Sequence, residues 1–248
     1  MSLFDRFSLG EGFKRYFEVV AATTDELRND VYRIRHDVYC EELGFEPVRP
    51  DGLESDQYDS HSTHCLLRSV SDSHDLVGCA RMVTVNPADP DEPLPFERLC
   101  HATLDRSIVD PARLPRDKIG EISRLAVRAR YRRRRGEEKV AVAIGDEDFG
   151  SQDNPRFPYI PIGLYLSMTA LAKHLELEHV FVLTEPRLAS HFAKLGLEIT
   201  QIGGPVEHRG ARIPSMFNTE RTIRNMRFLL KPIWRVVEEE VERSLAKP

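Results

Sequence analysis

Residues 119–128 read IGEISRLAVR, and this stretch predicts a strand at the centre of the fold. Polar residues interrupt a short apolar run, a pattern typical of a largely buried strand. By alternation, Glu121 and Ser123 should lie on the same face as Leu125. A carboxylate on the inward face of a strand costs free energy unless it is paired or used. Glu121 is therefore the first candidate for a functional side chain.

The segments before this strand predict a strand and then a helix. Tyr16–Ala22 is short and apolar, and apolar residues at helical spacing predict a helix from about residue 24 to residue 43. Thr23 and Glu26 have the spacing of a capping box at the start of that helix, and Gly44 is suited to end it.

The remaining elements are predicted from the same periodicities. Further strands are predicted at His64–Val70, Leu76–Val85, His179–Thr184 and Leu197–Ile202, the first two as an antiparallel hairpin. Further helices are predicted at Ile162–Leu177, 186–194 and 219–245, the last with a break near Pro232.

This order predicts an α/β (α+β) fold in which helices flank a mixed central sheet. The early hairpin supplies antiparallel strands, and the later crossover helix supplies a parallel return. Residues 1–218 are assigned to one domain. Residues 219–248 are assigned to a C-terminal helical extension that packs on the domain or projects from it.

The composition is that of a globular protein without a general affinity for polyanions. The chain has 248 residues, 41% hydrophobic and 30% charged, with a formal net charge of -5. That balance argues against a nucleic-acid partner, and no apolar run is long enough for a transmembrane helix. The four cysteines lack metal-ligand or paired spacing, so we expect free thiols, a cytoplasmic location and no metal.

Four charged motifs occur in order along the chain. They are Arg35-His36-Asp37-Val38-Tyr39, Glu54-Ser55-Asp56-Gln57-Tyr58-Asp59, Gly78-Cys79-Ala80-Arg81 and Glu121-Ile122-Ser123-Arg124. Together they resemble acyl-homoserine-lactone (autoinducer) synthases of the GNAT superfamily. They also resemble N-acyl amino acid synthases and, with residues 183–197 and 208–214, the acyltransferases associated with the exosortase/PEP-CTERM system. The resemblance covers roughly residues 16–215 and implies a GNAT fold and acyl transfer.

The chemistry of acyl transfer assigns roles to these residues. An amine must lose a proton before it can attack a thioester, and a positioned carboxylate can accept that proton. The carbonyl oxygen must be stabilised as it becomes anionic, for example by backbone N–H groups of a splayed or bulged strand. Glu121 is the predicted general base, and Ser123 accompanies it as a catalytic residue. The alternative is that Glu121 forms a structural ion pair with Arg81 or Arg124.

A second group of residues is predicted to bind substrate. Asp56 and Asp59 could hold a cationic amine or position arginines, and they could also be a solvated acidic loop. Arginine binds carboxylates through two parallel hydrogen bonds, which suits it to counter these acids. The predicted substrate-binding residues are Arg35, Asp56, Asp59, Arg81, Arg124, His208 and Arg212. The last two could equally belong to an ordinary turn.

An arginine-rich run follows the central strand, where GNAT enzymes place a pyrophosphate loop. Its members are Arg128, Arg130, Arg132, Arg133, Arg134 and Arg135. Glu138 stands where that loop needs a small residue, so a standard coenzyme A site is doubtful. We expect the run to meet an acidic acyl carrier protein, as the resemblance to autoinducer synthases also implies. A solvated loop or a nucleic-acid contact are the alternatives.

The sequence therefore predicts an N-acyltransferase that uses an acyl-phosphopantetheine thioester as a donor substrate and holds no permanent cofactor. A long acyl group would pass from acyl carrier protein to a small amine or amino acid. Two other interpretations stay open. One is a GNAT enzyme that depends on acyl- or acetyl-coenzyme A, and the other is a non-catalytic GNAT-like protein that binds acyl groups or acyl carrier protein.

Overall fold

The structure is a computed structural model that describes residues 3–70, 75–132, 158–185, 189, 192–193, 196–197 and 199–246. In this part of the chain the α-helices are α1 (Leu3–Tyr16), α2 (Asp25–Arg35), α3 (Pro95–Leu99), α4 (Tyr159–His174), α5 (Thr219–Asn225) and α6 (Lys231–Leu245). The strands are β1 (Phe17–Ala21), β2 (Ser62–Ser69), β3 (Leu76–Val83), β4 (Ile119–Val127), β5 (His179–Thr184), β6 (Thr200–Gln201), β7 (Val206–Glu207) and β8 (Ala211–Asn218). Helical turns extend α2 (His36–Glu42) and precede β2 (Gln57–His61).

The strands form a mixed sheet with helices on both faces. Its order is β1-β2-β3-β4-β5-β8-β6, and β7 pairs with β8. β4 and β5 run parallel, and the other neighbouring strands are antiparallel. One face packs against α2, and the opposite face packs against α1, α4 and α6. The predicted α/β class and mixed sheet are confirmed.

The two parallel strands at the centre separate before either of them ends. Their register runs from Ile119 opposite His179 to Ile122 opposite Val182. Beyond this point β4 and β5 no longer pair with each other, although β4 continues for five residues and β5 for two, all of them described. A gap therefore opens in the middle of the sheet.

A bulge in β4 lies beside this gap. Cys79 of β3 is opposite Ala126, and Arg81 is opposite Ser123, so β4 has one residue more than β3 over this interval. Arg124, within the interval, has a φ of 52°. This left-handed conformation is costly for a residue with a side chain, and it accommodates the extra residue of a bulge.

The bulge corrects the predicted alternation of β4. Leu125 was expected to share a face with Glu121 and Ser123, but it packs in the same apolar cluster as Ile122 and Val127, on the α4 side. Regular alternation would have placed residue 125 on the opposite side. The extra residue reverses it, because each inserted residue switches the faces of all those that follow.

The helix α4 is buried around most of its circumference. Every residue from Pro161 to Ala172 is buried. The sequence predicted a helix at Ile162–Leu177 with one apolar side, so its position is slightly shifted and its burial underestimated. The reason is that α4 lies between the sheet and α6, which buries both its sides.

The C-terminal helix α6 joins the main core and covers the free edge of β1. Its apolar face contributes Ile233, Trp234, Val236, Val237 and Val241 to the cluster that contains α4. The Val19 N–H donates to Glu240 Oε2 at 2.9 Å, and the Ala21 N–H donates to Ser244 Oγ at 2.9 Å. These bonds satisfy backbone donors at the sheet edge, where an unpaired strand invites association with another chain.

Several element boundaries differ from the prediction. The N-cap of α2 is Thr24, whose side chain accepts the Leu27 N–H, and not Thr23. The break between the last two helices covers residues 226–230, and Pro232 lies in the first turn of α6 because that position requires no N–H donor. The helix predicted at 186–194 lies largely outside the described residues.

Several elements were not predicted from the sequence: the helices α1 and α3 and the strands β7 and β8. Residues 208–214 were singled out for a family resemblance and not as a strand. Pro214 interrupts the β8 pattern, because proline cannot donate to a ladder and argues against a central strand. It is tolerated here through its carbonyl, which accepts the Ile202 N–H at 2.9 Å. The strand predicted at Leu197–Ile202 is reduced to β6.

The four cysteines are free and buried, as expected. Among the described helices, none is long and apolar enough to cross a bilayer.

Candidate active site

A cavity of about 560 Å³ passes through the gap between β4 and β5. Its polar wall contains Asp56, Arg81, Glu121, Ser123, Arg124, His208, Arg209 and Arg212. Its apolar wall contains Leu125, Tyr165, Met168, Val182, Phe192 and Ile199. Because α4 and the acidic loop lie on opposite faces of the sheet, the cavity joins an apolar space on one face to a charged space on the other.

Glu121 lies in this cavity with its side chain almost fully buried. Its Oε2 accepts the backbone N–H of Phe96, in the first turn of α3, at 2.8 Å. In the described part of the chain it forms no salt bridge with Arg81 or Arg124, so the ion-pair alternative is not what the structure contains. Burial raises the pKa of Glu121 to about 8, against the opposing effect of the Phe96 N–H.

Ser123 lies two residues further along the same face of β4. The Nε of the buried Arg81 donates to Ser123 Oγ at 3.0 Å, which fixes the side chain in the cavity wall. Glu121 and Ser123 therefore line the cavity together, as the sequence predicted.

The acidic loop holds arginines. Asp59 Oδ1 accepts hydrogen bonds from Arg35 at 2.7 Å and from Arg81 at 2.8 Å. Burial favours a raised pKa for Asp59, but the bonds from Arg35 and then Arg81 outweigh it and hold the pKa far below its usual range. Asp59 and the fully buried Arg35 lie behind the cavity, whereas Asp56, bound to Arg81 at 2.6 Å and to Arg124 at 2.9 Å, lines it.

The sequence analysis missed Glu54 as a member of this network. Glu54 is buried and bonds the Arg35 Nε through one oxygen and Arg124 through the other, at 3.3 Å. Three arginines and three carboxylates thereby balance one another: Arg35, Arg81 and Arg124 with Glu54, Asp56 and Asp59. Since buried charges are stable only when paired, the signal was available in the motif that begins at Glu54.

The predicted residues His208, on the β7–β8 turn, and Arg212, near the start of β8, also line the cavity. Arg212 pairs with Glu185 at 2.7 Å. Burial, followed by neighbouring arginines, lowers the pKa of His208 and so favours its neutral imidazole. The structure thus brings these two residues to the site from a part of the chain far from β4.

Two aromatic rings complete the wall next to the acidic loop. Tyr39 and Phe45 stack with ring centres 6.3 Å apart, and both line the cavity. The Tyr39 hydroxyl donates to the carbonyl of Leu125 at 2.9 Å, so this ring is tied to the bulged strand. Tyr39 belonged to a motif that the sequence analysis singled out, but neither ring was assigned a role.

The described arginines of the arginine-rich run lie outside the cavity. Arg128 pairs with Asp37 at 2.5 Å, Arg130 with Asp75 at 3.2 Å, and Arg132 with Glu42. These three arginines do not line the cavity described above. Arg133, Arg134 and Arg135 lie outside the described residues.

One group of described side chains has the spacing of metal ligands. His36, Asp37 and Glu41 place potential ligand atoms within 4.8 Å of one another. Asp37 is already paired with Arg128, and His36 Nε2 accepts the Arg49 N–H at 3.1 Å. These contacts account for the arrangement without an ion.

Comparison with known proteins identifies the type of fold. Residues 34–141 match the model for the acetyltransferase (GNAT) domain. The fold is similar to that of TofI, solved in a ternary complex with an inhibitor and MTA, at a TM-score of 0.58 and 16% identity over 84% of this chain and 95% of that chain. The chain has the GNAT fold. The predicted GNAT fold is confirmed. The resemblance to exosortase-associated acyltransferases stays a prediction.

Two further solved structures have a similar fold. BjaI, described as a CoA-dependent acyl-homoserine lactone synthase and solved with SAM and isopentyl-CoA, has a TM-score of 0.56 and 21% identity over 88% of this chain and 89% of that chain. FeeM, an N-acyl amino acid synthase from uncultured soil microbes, has a TM-score of 0.54 and 12% identity over 87% of this chain and 97% of that chain.

A curated relative matches over a shorter segment. The acyl-homoserine-lactone synthase of Aeromonas salmonicida is 36% identical over 59 residues, which are 24% of this chain. The match spans only 28% of that relative's length. Because the match covers so little of either chain, the activity of this chain has to be argued from the site.

Proposed function

We propose that this protein is an N-acyltransferase that moves a long acyl group from a phosphopantetheine thioester to a small amine. The observation that carries the proposal is the cavity through the β4–β5 gap. It joins a buried carboxyl group, Glu121, to an apolar space lined by α4. Such a cavity can hold the acyl chain on one face of the sheet and the amine on the other, with the thioester between them.

The apolar space suits a fatty acyl chain. Tyr165, Met168 and Phe192 are buried side chains of its wall. The volume of about 560 Å³ lies within the range of pockets that enclose small ligands. Transfer of methylene groups from water to this wall would contribute about 0.8 kcal/mol each.

Glu121 is proposed as the general base. Its pKa of about 8 is close to the pKa of an α-amino group, also about 8, so proton transfer between them is nearly balanced in free energy. Once the amine has lost its proton to the ionised Glu121 carboxylate, its nitrogen attacks the thioester carbon. A C–N bond then forms and the C–S bond breaks. The departing thiolate takes up the second proton that the nitrogen releases, and Glu121 passes its own proton to solvent.

Ser123 and the bulge are proposed to assist this step. The Ser123 hydroxyl is positioned by Arg81 and faces the same cavity, where it can donate to a substrate oxygen. Residues 123–125, which include the bulge, also line the cavity. A backbone N–H directed at a developing oxyanion is typically worth about 3 kcal/mol.

The network of three arginines and three carboxylates is proposed to form the part of the cavity that binds the acceptor amine. Asp56, Arg81 and Arg124 line the cavity and can contact the acceptor, whereas Arg35 and Asp59 act from behind by fixing the positions of the other three. Charge balance within the network leaves little net attraction for a simple cationic amine.

The donor could carry its phosphopantetheine arm on acyl carrier protein or on coenzyme A. The arginine-rich run favours a carrier protein, but Arg128 and Arg130 are paired with acids of this chain. BjaI is itself described as CoA-dependent, which supports the second candidate. Both donors therefore belong in the decisive experiment.

The experiment is to incubate the purified protein with acyl carrier protein or coenzyme A thioesters of graded chain length and a pool of amines. N-acyl products are identified by mass spectrometry. Glu121→Gln should reduce turnover by about 10²–10⁴-fold while donor affinity stays within about threefold. Glu178→Gln, which changes an exposed carboxylate, is the matched control. The absence of product from every donor and amine, with an acyl ligand still bound, would favour the non-catalytic alternative.

A further inference from the structure

Two arginines at the edge of the cavity share one carboxylate oxygen of the chain itself. Arg124 donates to Glu46 Oε1 at 3.3 Å, and Arg209, on the β7–β8 turn, donates to the same oxygen. Arg124 and Arg209 line the cavity. The three groups come from β4, from the turn before β8 and from the loop after α2, so the fold brings them together over long sequence distances.

The backbone at both arginines is unusual. Arg124 has a φ of 52°, and Arg209 has a φ of 55°. Side chains destabilise this left-handed conformation, and residues held in it cluster at ligand sites. Of the three non-glycine residues with positive φ in the described part of the chain, these two meet at Glu46.

The surroundings of Glu46 allow its side chain to move away from the two arginines. Its side chain keeps 24% of its exposure, so a rotation can return the carboxylate to water. The loop behind it turns at Gly44, where an added Cβ would meet nothing within 4 Å. Arg209 has a second contact besides Glu46, because its guanidinium carbon lies 5.6 Å from the centre of the Phe45 ring. The arginines could thus stay in place when Glu46 moves away.

We propose that Arg124 and Arg209 form the binding site for a carboxylate of the acceptor, and that Glu46 occupies this site in the free protein. This inference rests on the proposed acyl transfer and narrows the acceptor to amines that carry a carboxylate, the class of amino acids. Two guanidinium groups facing one carboxylate give charge-assisted hydrogen bonds with defined direction. In an α-amino acid the amine and the carboxylate share one carbon atom, so a fixed carboxylate also positions the amine in the cavity.

The test is a binding measurement that does not require turnover. An N-dodecanoyl amino acid is titrated calorimetrically into the protein, in parallel with its carboxamide, which keeps the acyl chain but lacks the negative charge. The wild type should bind the carboxylate at least about tenfold more tightly than the carboxamide, since a charge-assisted pair replaces a neutral contact. In Arg209→Ala this preference should fall to about twofold or less. Arg209→Lys should retain part of it.

Glu46→Gln should have the opposite effect on carboxylate binding. The variant therefore distinguishes a Glu46 that the ligand displaces from a Glu46 that only stabilises the fold. Removing the internal competitor should tighten carboxylate binding severalfold and leave carboxamide binding unchanged. A structural salt bridge would instead make the variant bind both ligands more weakly. Arg243→Ala, which removes an exposed arginine paired with Glu239 on α6, is the matched control.

The outcomes also separate this inference from the proposed function. Carboxylate-dependent binding without any N-acyl product would support the acceptor site and contradict acyl transfer. Acyl transfer to amino acids and to their carboxamides with equal kcat/KM, unchanged in Arg209→Ala, would overturn the acceptor site alone. If Arg209→Ala weakens binding of acyl-phosphopantetheine and spares the carboxylate preference, the arginines serve the donor phosphate and the inference is wrong.

Discussion

Replacing Glu121 by glutamine should change how the stability of the protein depends on pH. The folded protein holds the Glu121 proton up to a pKa of about 8, whereas the unfolded chain releases it near the ordinary value of 4.5. When the folded-state pKa of a carboxyl group is raised, the unfolded state binds fewer protons between these values. The contribution of Glu121 to stability is therefore lost progressively as the pH rises from about 4.5 to about 8.

The size of the effect follows from the two pKa values. Each unit of separation corresponds to 1.36 kcal/mol, and between pH 5 and pH 8 the linkage relation gives a loss of about 3 to 4 kcal/mol in the wild type. The glutamine side chain of the Glu121→Gln variant has no proton to release in this range, so the variant should lack this loss. Any constant penalty from an unpaired amide hydrogen in the variant is present at both pH values and cancels in the comparison.

The assay is urea denaturation of both proteins at pH 5, 6, 7 and 8, with the difference in unfolding free energy plotted against pH. That difference should move in favour of Glu121→Gln by about 3 to 4 kcal/mol across the series. Glu178→Gln should follow the wild type throughout, because its carboxylate is exposed. Parallel curves for the wild type and Glu121→Gln would refute the claim that burial perturbs Glu121, and with it the reason for choosing it as the base.

Three further outcomes follow from the described contacts. Met168→Trp fills the apolar space, so long-chain donors should lose about tenfold or more in kcat/KM and short ones little, as a series of acyl donors would measure. Asp59→Asn deprives the fully buried Arg35 of a partner and should lower the unfolding free energy by about 3–5 kcal/mol, measured by urea denaturation. Ser244→Ala removes the acceptor of the Ala21 N–H and should cost about 1 kcal/mol, with faster hydrogen exchange at that amide.

The sequence identified site residues where a charged side chain interrupts a segment that is otherwise expected to be buried. Glu121 was identified because a carboxylate interrupts a strand that is otherwise apolar, and the structure buries it in the cavity wall. Arg81 and Asp56 were identified because their motifs occur in a fixed order. The structure brings these residues together, and their catalytic and binding roles stay proposals.

The remaining features depend on contacts that no local pattern contains. The left-handed Arg124 is stabilised by the surrounding fold, since nothing in its own neighbours favours a bulge there. The contact between Glu46 and Arg209 joins residues 163 positions apart. Pro214 weakens the strand pattern of β8, which was not predicted. Periodicity predicts which face a residue occupies only until such an irregularity intervenes.

The cover over β1 has a consequence for synthesis. The acceptor of the Val19 N–H lies 221 residues further along the chain, so translation must reach Glu240 before the outer edge of the sheet can be sealed. At about 5–20 residues per second, that interval lasts roughly 10 to 45 seconds. Throughout this time the nascent chain carries an open strand edge. The last turns of α6 therefore determine when the newly made protein stops being vulnerable to association with its neighbours.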